Sequence, residues 1–174
     1  MEMRLQRPLD FLVIADHAEG LGLLPELISE NPQLSFVNNM DESLKRRLKE
    51  VFTDSNVDRK TAFTRGMDLY VAFFEKELTG DLHFQQSVWN DIADRADNYN
   101  DPGQFTAFAG YEWSAGGLGH HHRVVVFKDG AEKVSQTRPF SMYDSERPED
   151  LWAALSAYEK KLAERFWQFL IIVT

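Results

Sequence analysis

With 174 residues, the chain is long enough for one domain with a substantial core and short for two. A hydrophobic content of 43% and an aromatic content of 13% exclude a disordered chain, and the net charge of -9 argues against a nucleic-acid backbone as the main partner. Cysteine is absent, which excludes disulfides and thiolate metal sites but leaves the compartment open. The opening text MEMRLQRPLDFLVIADH does not read as a signal peptide, because its apolar run is short and leads straight into Asp16 and His17. Phe166–Val173 is too short for a membrane span and is interrupted by Gln168. The default expectation is a cytoplasmic protein with neither membrane nor nucleic acid as partner.

Leu9–Ala15 is a nearly continuous apolar run, which predicts a parallel strand covered on both faces by helices. Leu21–Glu30 reads as a short helix ended by Asn31-Pro32. Apolar residues at Leu44, Leu48, Val51 and Phe52, then at Phe63, Met67, Tyr70 and Phe74, predict two amphipathic helices. A third, from about Gln85 to Asn98, carries Val88, Ile92, Ala96 and Tyr99 on one stripe before Asn100-Asp101-Pro102-Gly103 stops it. Phe105–Tyr111 and Val124–Phe127 are short apolar runs around a loop of glycines and the triplet His120-His121-His122. The joining segment, about ten residues, is too short for a parallel crossover, so the two runs read as a hairpin. Asp129-Gly130 then turns the chain into a polar loop. Pro148 opens a last helix with Glu149 and Asp150 in its first turn and Leu151, Leu155, Tyr158 and Leu162 on its stripe. The order predicts an α/β fold with a helical insertion, at about residues 40–99, after the first strand.

In a hairpin the end of the first strand lies beside the start of the second, so Glu112 meets the histidines at one end of the sheet. A carboxylate beside imidazoles is a donor set for a transition metal. Adjacent histidines alternate in direction along an extended chain, so one or two of the triplet can face a single ion. His17 follows Asp16 at the C-terminal end of a strand, where α/β folds build their sites. Each feature also has a plainer explanation: Asp16 as a turn cap, His17 and Glu112 as solvent-facing strand ends, the triplet as a polar loop. Asp81-Leu82-His83 has metal-like spacing but precedes a helix whose start favours aspartate, and it reads as structural. Arg123 could clamp an anionic group or pair with one of the 28 acidic residues.

Taken together, ADHAE at 15–19, NDPGQFTAFAGYEWS at 100–114, HHHRVVVFKDG at 120–130 and RPEDLWAALSAYEKK at 147–161 resemble a known family. It is domain of unknown function 3604, related to the PHP (polymerase and histidinol phosphatase) metal-dependent hydrolases, and the resemblance spans nearly all of residues 8–161. It implies a distorted (β/α)7 barrel, here a partial PHP-like one, with divalent ions (Zn, Mn or Fe) at the strand C-terminal face. By motif, His17, Glu112 and His122 correspond to metal ligands, Glu112 to one that bridges ions. Asp16 corresponds to a residue that orients His17, and with Arg123 it forms the catalytic pair of candidates. A shared site requires His17 within roughly 12 Å of Glu112, the reach of a binuclear site with ions about 4 Å apart.

The family's H-x-H pair, its I-P-H-N histidine and its late D-x-H have no counterpart in this chain. A single truncated domain over residues 1–174 is therefore expected, with family-like text ending near Lys161. The remaining LAERFWQFLIIVT is expected to be out of frame: with permitted codons, the same bases read two positions later encode GGAFLAIPHNSN. The alternative is a natural terminal strand, Phe169–Val173, paired with the sheet. The gene's nucleotide sequence separates the two, because the shifted frame must stay open downstream. The functional expectation is a fragment of a phosphoesterase-like hydrolase acting on a small anionic substrate, weakly active or inactive with three ligands. A noncatalytic globular fragment that binds one metal loosely or none is the alternative.

Overall fold

The computed structural model describes residues 7–29, 33, 42–43, 46, 50, 58–74, 82–115, 121–162 and 171–173. The chain divides into two compact units, Gly20–Gln85 and a second made of Met1–Glu19 with Gln86–Thr174. The first unit carries α1 (Leu23–Ile28) and α2 (Arg59–Phe74). The N-terminus of α2 is capped by Asp58, whose carboxylate accepts the Thr61 hydroxyl and the N–H groups of Thr61 and Lys60. Those bonds, led by the Thr61 side chain, hold the Asp58 carboxyl below its ordinary value. The helix expected around Leu44–Phe52 lies mostly outside the described residues.

The second unit holds a sheet and the helices that cover it. In chain order these are β1 (Phe11–His17), α3 (Leu82–Tyr99, from Gln86 onward), β2 (Thr106–Ser114), β3 (His122–Val126), α4 (Ala131–Val134), α5 (Pro148–Leu162) and β4 (Ile171–Val173). The sheet is open, in the order β1-β2-β3-β4. β1 runs parallel to β2, and β2–β3 is the antiparallel hairpin that the sequence predicts. The three-residue β4 pairs antiparallel with β3. β1 corrects one expectation. Phe11 and Ile14 are each 62% exposed, so this apolar run is not covered on both faces. Among the described strands it pairs on one edge only, with β2, and burial of a strand depends on neighbours that its own residues do not specify.

Side chains alternate between the two faces of a strand. Tyr111, Trp113 and Val125 share one face and are fully buried, and Phe127 just beyond β3 joins them. α3 and α5 pack there. The Trp89 ring meets Tyr111 edge-on at 5.8 Å and Phe127 at 5.6 Å, and Phe127 meets Tyr158 of α5 at 5.1 Å. Burial pushes the Tyr111 and Tyr158 hydroxyls up from their ordinary pKa, and Asp129 adds to the effect on Tyr158. α4 stands in what reads as a polar loop; its first N–H, at Ala131, donates to Asp97 of α3 at 2.8 Å.

Gly110 of β2 pairs with Ala15 of β1 on one side and Val126 of β3 on the other. A Cβ there would lie 2.5 Å from Val13 Cγ2 and 2.8 Å from the Val125 carbonyl oxygen. Backbone cannot yield as a flexible side chain can. Gly110→Ala is expected to destabilise the protein by about 1–3 kcal/mol, the usual range for overpacking. A lowered urea midpoint checks this, and an unchanged one would show that the strands separate freely.

Candidate metal centre

Parallel pairing sets His17 opposite Glu112, and the hairpin sets Ser114 opposite His122. With a side-chain period of two, His17, Glu112, Ser114 and His122 share the face opposite to Tyr111, at the carboxyl ends of β1 and β2. The Ala18 N–H donates to the Glu112 carbonyl at 2.8 Å and carries the ladder past the end of β1. Each oxygen of the Glu112 carboxylate meets one ring: Oε1 lies 3.0 Å from His122 Nδ1, and Oε2 lies 3.5 Å from His17 Nε2. One ligand atom from each of the three residues lies within 4.8 Å of the other two. The rings themselves are 6.1 Å apart and inclined at 71°. Between them stands the Ser114 hydroxyl, 3.3 Å from His17 Nδ1 and 3.0 Å from His122 Nδ1. The His17 and His122 side chains are 58% and 45% exposed against 23% for Glu112, so the cluster is open to ions from solvent.

Glu19 lies next to this cluster, buried, with its side chain only 3% exposed. Its Oε1 accepts N–H groups from Ser114 at 3.3 Å and Met142 at 3.1 Å. Its Oε2 has no hydrogen-bond partner among the described residues and lies 3.7 Å from His17 Nδ1. Such an unsatisfied buried atom costs on the order of 1–3 kcal/mol, and more when charged. The Met142 loop is held in turn by Asp144, which accepts hydrogen bonds from Nη1 and Nη2 of Arg138 and from the Ser141 N–H. Burial works to raise the Asp144 carboxyl, but these hydrogen bonds outweigh it and hold the group below its ordinary value.

A family model described as a protein of unknown function, DUF3604, matches residues 1–169. The chain belongs to the DUF3604 family. Neither a curated protein nor a solved structure matches it. The DUF3604 match takes in His17, Glu112 and His122 and runs eight residues past Lys161, since 169 less 161 is eight.

The other expected site residues of this DUF3604 chain stand elsewhere. Asp16 pairs with Tyr111 and Arg123 with Trp113 in register, so both alternate to the face opposite to the cluster. Asp16 lines a groove of about 500 Å³ with Leu12, Ile14, Ile92 and Tyr99. Arg123 Nη1 donates to the His122 carbonyl at 2.8 Å. The groups beside His17 Nδ1 are Ser114 and Glu19, in the place that the sequence reading gives to Asp16. His121 is exposed, its carbonyl accepting the Ala115 N–H at 2.9 Å, and His120 and Asp81 lie outside the described residues. Alternation could have marked Glu19 and Ser114, each two residues beyond a ligand candidate. A test of the register follows. His122→Ala is expected to lower Zn or Mn affinity by more than about 100-fold, beyond the loss typical of outer partners, with His120→Ala near wild type. Equal losses in a competition titration would refute the pairing of His122 with Glu112 as ligands.

Proposed function

We propose that this chain is the metal-binding part of a hydrolase, in which His17, Glu112 and His122 hold a divalent ion. The observation that supports it is the meeting of three ligand atoms within 4.8 Å at the carboxyl ends of β1 and β2. Two imidazoles and a carboxylate suit Zn, Mn or Fe, and a Zn site of this composition leaves room for substrate. The donor set also fits in detail, because Glu112 already engages both rings through separate oxygens, with lone pairs that a cation can share.

When bound, the ion supplies Lewis acidity and the activation of water at neutral pH. The chain's own residues do the rest. Glu112 supplies the negative charge and draws the rings together, and Ser114 spaces them. Arg123, at the same end of β3 but on the face opposite to the cluster, adds a positive charge that attracts an anionic group at long range to a protein of net charge -9 and does not clamp it at the ion. Phosphoester hydrolysis of a small anionic substrate is the proposed reaction, supported by the motif resemblance to PHP hydrolases, and a partial distorted barrel of their kind is proposed with it. Elemental analysis of protein prepared with Zn or Mn is expected to find bound ion, and p-nitrophenyl phosphate hydrolysis, at most weak with three ligands, is expected to vanish in Glu112→Ala. Protein that retains no ion at micromolar free metal would overturn the proposal.

A further inference from the structure

Among the described residues, Glu19 is the one charged side chain that is buried. It stands outside the triad, and its position bears on how His17 can act. His17 sits between two carboxylates: Nε2 faces Glu112 Oε2 at 3.5 Å, and Nδ1 faces Ser114 Oγ at 3.3 Å and Glu19 Oε2 at 3.7 Å. A neutral imidazole carries one proton, and the nitrogen without it is the one that can bind an ion. With the proton on Nε2, His17 donates toward Glu112 and offers the site no lone pair. With the proton on Nδ1, the Nε2 lone pair stands beside Glu112.

Glu19 is built to select the second form. Two backbone N–H groups fix its Oε1 in place, and Oε2 is left without a donor in a nearly dry surrounding. A low local dielectric strengthens the pull of that oxygen on the N–H nearest to it. We propose that Glu19 is a positioning residue of the metal centre: it holds the His17 proton on Nδ1 and so leaves Nε2 free for the ion. Carboxylate partners of this kind fix the tautomer and orientation of metal-binding histidines. The inference rests on the metal-site reading, with Glu19 acting through His17 and touching neither ion nor substrate.

Two-bond nitrogen–proton NMR of the metal-free protein, at a pH where His17 is neutral, reads the tautomer directly. Wild type is expected to carry the proton on Nδ1. Glu19→Gln keeps the shape and the Oε1 acceptor but removes the second carboxylate oxygen. It is expected to move the proton to Nε2 and to lower Zn affinity by about 10–100-fold, at a melting temperature close to wild type. An unchanged tautomer with affinity within about threefold of wild type would overturn the proposal, that loss falling short of the outer-partner range. So would a loss as complete as that of His17→Ala, which would make Glu19 a ligand. Should Glu19→Gln fail to fold, the wild-type tautomer decides alone, and a proton on Nε2 overturns the assignment. If wild type binds no ion yet carries its proton on Nδ1, the metal reading fails and the hold of Glu19 on His17 stands.

Discussion

Replacing Glu112 with alanine is expected to abolish divalent-metal binding while leaving the chain folded. Glu112 is the only carboxylate of the triad, and each of its oxygens meets a different imidazole. Its loss removes the negative charge that offsets the cation and the group that holds both rings in register. Two largely exposed imidazoles remain, free to turn away. The affinity loss should exceed the roughly 100-fold that marks the upper end for outer partners of metal ligands. The fold has less at stake: the Glu112 backbone still accepts the Ala18 N–H, and both histidines can turn to water. Titration calorimetry with Zn, alongside a thermal melt, checks both halves. Affinity near that of wild type would remove the carboxylate from the site.

Trp89→Ala acts from the opposite face of the sheet and should be the most damaging core substitution. Trp89 is fully buried, meets both Tyr111 and Phe127, and donates its indole N–H to the Val134 carbonyl at 3.2 Å. Alanine there leaves a cavity between α3 and the sheet and removes one of two donors to the Val134 carbonyl, which keeps the Thr137 N–H at 3.2 Å. Large-to-small changes of this kind cost about 3–5 kcal/mol. That is a large share of the roughly 5–15 kcal/mol that holds a typical domain folded. Chemical denaturation should show the loss, and Trp89→Phe, which keeps a ring in the gap, should recover part of it. A loss below about 1 kcal/mol would mean that the helix settles onto the sheet without the indole, unlike other buried tryptophans. Tyr111 is adjacent to Glu112, so metal affinity should weaken together with stability.

Local rules made part of this legible in the sequence. Two short apolar runs and a brief connection left a hairpin as the only pairing, and a hairpin brings Glu112 to His122 whatever the rest of the chain does. The partnership of His17 with Glu112 is different in kind, because it depends on a parallel register between distant strands. Motif resemblance indicated it where spacing could not. Glu19 is harder to read, because a glutamate after a strand end looks like ordinary surface. Its burial comes from Ser114 and Met142, far along the chain. α4 was hidden for the same reason: the group that meets its first N–H is Asp97, 34 residues earlier. The exposure of β1 is not legible in composition, since apolar residues record what a strand can bury and say nothing of which neighbours are present.

The cluster draws on two very different chain distances. Ser114 and His122 are 8 residues apart, whereas His17 and Ser114 are 97 apart. Lengthening a closed loop is cheap, about 0.6 kcal/mol for each doubling. The segment Gly20–Gln85 could therefore be shortened, extended or exchanged for another with little effect on the closure of His17 against β2. The hairpin has no such latitude. One residue added within β2 or β3, between Glu112 and its partner, would turn the remaining side chains to the other face. Variation among natural or designed versions of this architecture should thus collect in the long connection, and the spacing from Glu112 to Ser114 should tolerate none.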